Sequence, residues 1–163
     1  MEAPIDEMMV FFTRAWSRGD LSDAECDAAS DGYARHFESI SHILPSRLAQ
    51  LARIVSLHDA RVLRVVVDNA NNVCLTLRAG DFQRGYYDAD LRYRGVSLLL
   101  ASPEVSEIAG NDDFEIIADE IDISEGIHTF EHRLLARRGA IAVRFREFDY
   151  TVALVPDRDF VAP

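Results

Sequence analysis

The sequence predicts an α+β fold, with N-terminal helices packed on a mainly antiparallel, strongly twisted sheet of about six strands. Three observations predict it. Apolar residues recur at three- and four-residue steps before residue 56, two-residue alternation rich in Val, Ile, Leu, Phe and Tyr follows Leu57, and the links between the alternating runs are too short for crossover helices. At 163 residues the chain has the size of a single domain, 1–163, mainly helical over 1–56 and mainly β over 57–163. A chain of that length buries about 70% of its unfolded surface.

Leu21, Ala24, Ala28, Tyr33, Phe37, Ile40 and Leu44 lie at helical spacing and predict a helix over 20–44, with Asp20 or Ser22 as its cap. Pro45 stops it. Ser46 is placed to cap a second helix, whose stripe is Leu48, Leu51, Ile54 and Val55. Arg61–Val67 and 73–78 read as a hairpin around Asp68-Asn69-Ala70-Asn71-Asn72, because Asn tolerates a left-handed backbone. Further strands are predicted at 86–100, 114–121, 127–136 and 140–155, with a helical turn opening at Ser102-Pro103-Glu104 and running to Ile108.

A weak repeat links two of these strands. Leu91-Arg92-Tyr93-Arg94-Gly95-Val96 aligns with Val143-Arg144-Phe145-Arg146-Glu147-Phe148, and in both copies the apolar parity switches at the same place. A bulge or bend produces such a phase change, so the repeat suggests two related β-meanders. The predicted core is Leu63, Val65, Val67, Val73, Leu75, Leu77, Leu91, Tyr93, Ile141, Val143 and Phe145, with Phe37, Ile40 and Leu51 from the helices.

Composition removes several chemistries. The 28 acidic and 17 basic residues give a formal net charge of -11, and every basic residue is Arg. Without Lys there is no lysine Schiff base and no P-loop. The missing Lys itself reads as codon usage in a GC-rich bacterial genome. A pI near 4.8 argues against a nucleic-acid-binding surface. The first residues are acidic where a signal peptide would be basic, and the longest apolar run, 96–101, is far short of a membrane span, so the sequence predicts a cytoplasmic protein that engages no membrane. Cys26 and Cys74 form no CxxC and read as reduced thiols.

Four groups of residues are candidates for function. His58-Asp59 stands where the helical part meets the first strand. With His36 upstream it invites comparison with two-metal phosphohydrolases, but the β pattern after Asp59 lacks their helical scaffold, and a turn at Asp59 explains the pair. His128 and His132 would chelate a metal on a helix, whereas on a strand four residues at ~3.3 Å each separate them by roughly 13 Å. The sequence therefore implies no metal and no cofactor. From Gly95 to His132 the chain has acids and no Arg, with Asp112, Asp113, Glu115, Asp119, Glu120 and Asp122 as an acidic patch for a basic protein partner. Arg133, Arg137, Arg138, Arg144 and Arg146 follow at once, so cross-strand pairing is the competing explanation. Phe11, Phe12 and Trp16 form an aromatic cluster suited to packing the N-terminus or anchoring a partner. EF-hand, GxSxG and GxGxxG patterns are missing.

Phe12-Thr13-Arg14-Ala15-Trp16, Leu57-His58-Asp59-Ala60-Arg61-Val62 and Leu91-Arg92-Tyr93-Arg94-Gly95-Val96, in that order, resemble an uncharacterised bacterial domain of unknown function. The Leu-His-Asp opening before a strand is also similar to small immunity proteins, which implies a role in binding. The expectation is a non-enzymatic protein-binding or regulatory module. The alternative is a small metal-dependent hydrolase using His58 and Asp59 with His128 or His132, which requires those side chains to converge in a cleft.

Overall fold

Ser22 and Glu25 begin the long helix as a reciprocal capping box, each satisfying a backbone N–H near the other. In the computed structural model, which describes residues 5–126 and 128–156, a 3-10 turn Ile5–Glu7 is followed by α1 Arg14–Arg18, α2 Asp23–Ile40 and α3 Ser46–Ile54. The predicted helix over 20–44 ends early, at Ile40, and turns through 41–44 with Leu44 still in the core. Ser46 is the first residue of α3. Its N-cap is Pro45, which makes no side-chain cap bond.

Eight strands follow among the described residues: β1 Arg61–Val67, β2 Val73–Asp81, β3 Gly85–Arg94, β4 Leu98–Ser102, β5 Ile116–Ile123, β6 Phe130–Ala136, β7 Gly139–Phe145 and β8 Glu147–Leu154, with α4 Val105–Ile108 after β4. They form two antiparallel sheets, ordered β1-β2-β3-β8 and β4-β7-β6-β5. The predicted strand start at Ile127 lies outside the described residues.

Eight strands replace the predicted six because two long ones cross between sheets. The predicted strand 86–100 divides into β3 and β4, and 140–155 into β7 and β8, both at the phase change of the repeat. The two crossings lie against each other. Arg146 donates its backbone N–H to Arg94 O (3.0 Å), and Ser97 donates to Arg144 O (2.9 Å). Register passes from Arg94↔Glu147 to Leu98↔Arg144, four residues on one strand against three on the other, which is a bulge of one residue. At the other margin Arg61 bridges Glu115, and Ile116 exchanges backbone bonds with Asp59 and Ala60 (both 2.8 Å). The sheets thus enclose one core between them.

That core holds Leu75, Leu77, Leu91, Tyr93, Ile141, Val143 and Phe145, joined by Phe37, Ile40, Leu48 and Leu51 from the helices. Each large apolar side chain fully buried there contributes about 1.5–3 kcal/mol. Two predicted members are outside. Leu63 is the extra residue of a bulge between Val62 and Arg64, which puts Val62 inward in its place. Val67 keeps inward parity but stands 52% exposed at the open end of β1.

A second, small core went unpredicted. Met9, Leu135 and Ala140, with Ile5, Phe12 and Ile117 beside them, pack the N-terminal segment onto the outer side of the second sheet. Strand β6 is consequently buried on both faces. Its outward Arg133 donates to Met8 O (2.6 Å) and to Asp122 Oδ2 (2.7 Å), while its Nε lies 3.6 Å from Glu131 Oε1 without a hydrogen bond.

Candidate functional site

The free edge of β5 is covered by α2 and by the α3–β1 link. Tyr33 of α2 accepts the Ile121 N–H at its hydroxyl (2.9 Å), and His58 donates Nδ1–H to Ile117 O (2.8 Å). Between these two lies Asp119. Antiparallel pairs alternate, so if the Ile121 N–H faces the free edge, the Asp119 N–H and C=O face it as well. A groove of about 500 Å³ opens there, walled by Phe12, Trp16 and Tyr33 with His58 at its rim.

Local sequence explains the walls. Thr13 caps α1 by accepting Trp16 N–H (3.3 Å), and Gly19, at φ +74, ends it after five residues. This short helix stands Trp16 against Phe12 (ring centroids 5.0 Å), and Phe12 meets Tyr33 edge-on (5.3 Å). Glu120 fixes the segment before α1, its carboxylate accepting the N–H groups of Val10 (2.9 Å), Phe11 (2.7 Å) and Phe12 (2.7 Å). Burial and the nearby Asp119 charge push the Tyr33 hydroxyl well above the ordinary tyrosine range, so it stays a neutral wall.

Behind the groove the chemistry is directional. Asp119 Oδ2 lies 2.8 Å from His132 Nε2, and His132 Nδ1 lies 2.8 Å from the Tyr93 hydroxyl. A carboxylate only accepts, so Nε2 carries a proton, and in the neutral ring Nδ1 then accepts from Tyr93. Both ring nitrogens are thereby occupied. Tyr93 and His132 are fully buried, and burial, then the charges of Asp119 and Cys74, hold the Tyr93 hydroxyl far above its usual pKa. The chain of bonds reaches solvent only at Asp119, which is about a quarter exposed.

The candidate histidines stand in different surroundings. His58 is exposed, its Nε2 3.4 Å from Asp59 Oδ1, with Asp59 in the left-handed region at φ +63. His128 stands exposed in the β5–β6 turn, and His132 is enclosed. His36 pairs with Asp122 (3.0 Å). Among the described residues no three His, Cys, Asp or Glu side chains are placed to hold a metal ion.

The acids of the predicted patch have partners. Asp112 pairs with Arg61 (3.0 Å), Asp113 with Arg138 (3.7 Å), Glu115 with Arg137 (3.1 Å) and Asp122 with Arg133 and His36. Asp119 is held by His132, and Glu120 by backbone N–H groups. Carboxylates outside any ion pair among the described residues include Asp20, Asp23, Asp27 and Asp31, exposed before and along α2, the helix that supplies Tyr33 to the groove. Spacing in the sequence marks those acids as one solvated helix side.

Two remaining features are structural. Cys26 and Cys74 are free thiols, and burial followed by the Asp90 charge raises the Cys74 pKa. No helix among the described residues is long and apolar enough to cross a membrane. No protein-family model matches this chain, and no curated protein matches it.

Proposed function

We propose that the protein is a cytoplasmic, non-enzymatic binding module, regulatory or immunity-like in role, whose groove receives a basic side chain from a protein partner. The observation that carries this reading is Asp119, a carboxylate braced from behind by His132 and facing a groove walled by Phe12, Trp16 and Tyr33. Aromatic faces and a carboxylate together complement a guanidinium or ammonium group, through cation–π contact and a charge-assisted hydrogen bond. The acids of α2 add a negative field that draws such a partner in. Arg53 at the rim opposes it only weakly, being tied to Glu38 (3.2 Å) and lying over Phe37 (5.5 Å).

Calorimetric titration with an arginine-containing peptide tests the reading, against the same peptide carrying glutamine at that position. Binding of the arginine peptide alone, weakening as salt rises, is the expected result. Equal binding of both peptides, or of neither at millimolar concentration, contradicts it.

A further inference from the structure

The α1 helix separates two grooves of opposite character. Trp16 faces the acidic one. Arg14, Ser17 and Arg18, at i, i+3 and i+4, share another side of the helix and line a second groove of about 570 Å³, completed by Arg137, Arg138 and Ile117. In a chain of net charge -11, four guanidiniums thus converge on one concavity, and among the described residues no carboxylate lines it.

Each Arg arrives by a specific device. Arg14 reaches across to the β6–β7 turn and is held by the carbonyls of Ala136 (2.8 Å), Arg137 (3.2 Å) and Gly139 (3.1 Å). The same turn packs closely on β4, because Gly139 sits at φ +113, where a Cβ would strike Ser102 O. Arg137 and Arg138 are carried on the turn itself. Their partners, Glu115 (3.1 Å) and Asp113 (3.7 Å), sit outside the groove, and both Arg side chains remain mostly exposed. Arg18 is exposed and makes no ion pair among the described residues.

Arg18, Arg137 and Arg138 keep exposed guanidiniums beside this concavity, and an anion between them offsets their mutual repulsion. We propose that this groove binds a small phosphoryl-bearing anion. One guanidinium fork saturates a carboxylate, whereas several forks match the multiple oxygens and charges of a di- or polyphosphate. The surrounding acidity excludes a long polyanion such as a nucleic acid, so the ligand is small. The inference rests on residues apart from the Asp119 groove and stands or falls independently of it.

Inorganic pyrophosphate is the probe, titrated calorimetrically at constant ionic strength into the full chain. The expected result is saturable one-to-one binding. Arg18→Gln and Arg138→Gln each weaken it about tenfold, as loss of a charge-assisted hydrogen bond should. Both positions are exposed, and unchanged far-UV circular dichroism confirms the fold of each variant. Absence of binding at millimolar pyrophosphate, or wild-type affinity in both variants, overturns the proposal, as does equal binding of sulfate.

Discussion

His132 donates Nε2–H to Asp119 Oδ2 across 2.8 Å, and this one bond ties the closed centre between the sheets to the floor of an open groove. Tyr93 completes it from the core side at 2.8 Å. Tyr93→Phe keeps the ring and leaves Nδ1 buried without a donor. The expected loss is about 1–3 kcal/mol of unfolding free energy, read from the urea midpoint at unchanged slope. An unchanged midpoint would show that the hydroxyl does not brace the histidine.

Glu120 fixes the N-terminal segment through three backbone N–H groups. Glu120→Gln keeps the shape but removes the charge and one acceptor oxygen. Stability should fall by about 1–3 kcal/mol, and limited proteolysis should cut ahead of α1 sooner than in the wild type. Identical cleavage rates would mean that the apolar contacts of Met9 and the Arg133–Met8 hydrogen bond suffice to secure the segment.

The elements were legible in the sequence where one period dominates. Helical spacing located α2 and α3, alternation located the hairpin of β1 and β2, and the repeated parity switch after Arg94 and Arg146 marked the places where the chain changes sheets. Alternation cannot say that a bend carries a strand into another sheet, so the division into two was hidden. Leu63 was misplaced because a bulge leaves no compositional mark. The groove was legible only in pieces. Trp16, His58 and Asp119 each stood out, but α1 and β5 lie about a hundred residues apart, and no local pattern encodes their meeting. The acidic run from 95 to 132 drew attention for its lack of Arg, yet its neighbours in space are the Arg residues that follow it and Arg61.

Burial holds the Tyr33 and Tyr93 hydroxyls protonated above the free-tyrosine value of 10.0. Above that pH the unfolded chain gives up these protons before the folded one, so the stability they contribute is full below pH 10 and is lost as pH rises through the folded-state values. The chain has no Lys to titrate in the same window. Denaturant midpoints measured from pH 8 to 12 should therefore fall above pH 10, less steeply in Tyr33→Phe. A Tyr33→Phe profile parallel to the wild type would contradict this account.

Two glycines predict unequal costs. A Cβ on Gly95, at φ +62, would sit 3.3 Å from Arg146 Cβ, whereas on Gly139 it would meet Ser102 O at 1.9 Å. Gly95→Ala should cost about 1–2 kcal/mol, the strain of a left-handed residue. Gly139→Ala should cost clearly more, since backbone must move. Equal thermal midpoints in the two variants would refute the close approach of the β6–β7 turn to β4.

Trp16 is the single Trp of the chain and lines the Asp119 groove, so its fluorescence reports on that groove. Titrating an arginine-containing peptide into the wild type and into Asp119→Asn tests the central claim most directly, because Asn still accepts the His132 N–H while losing the charge. The account predicts a saturable change in Trp16 emission for the wild type and at least a tenfold weaker response for the variant. Matching curves for the two proteins, or a flat wild-type trace, would contradict it.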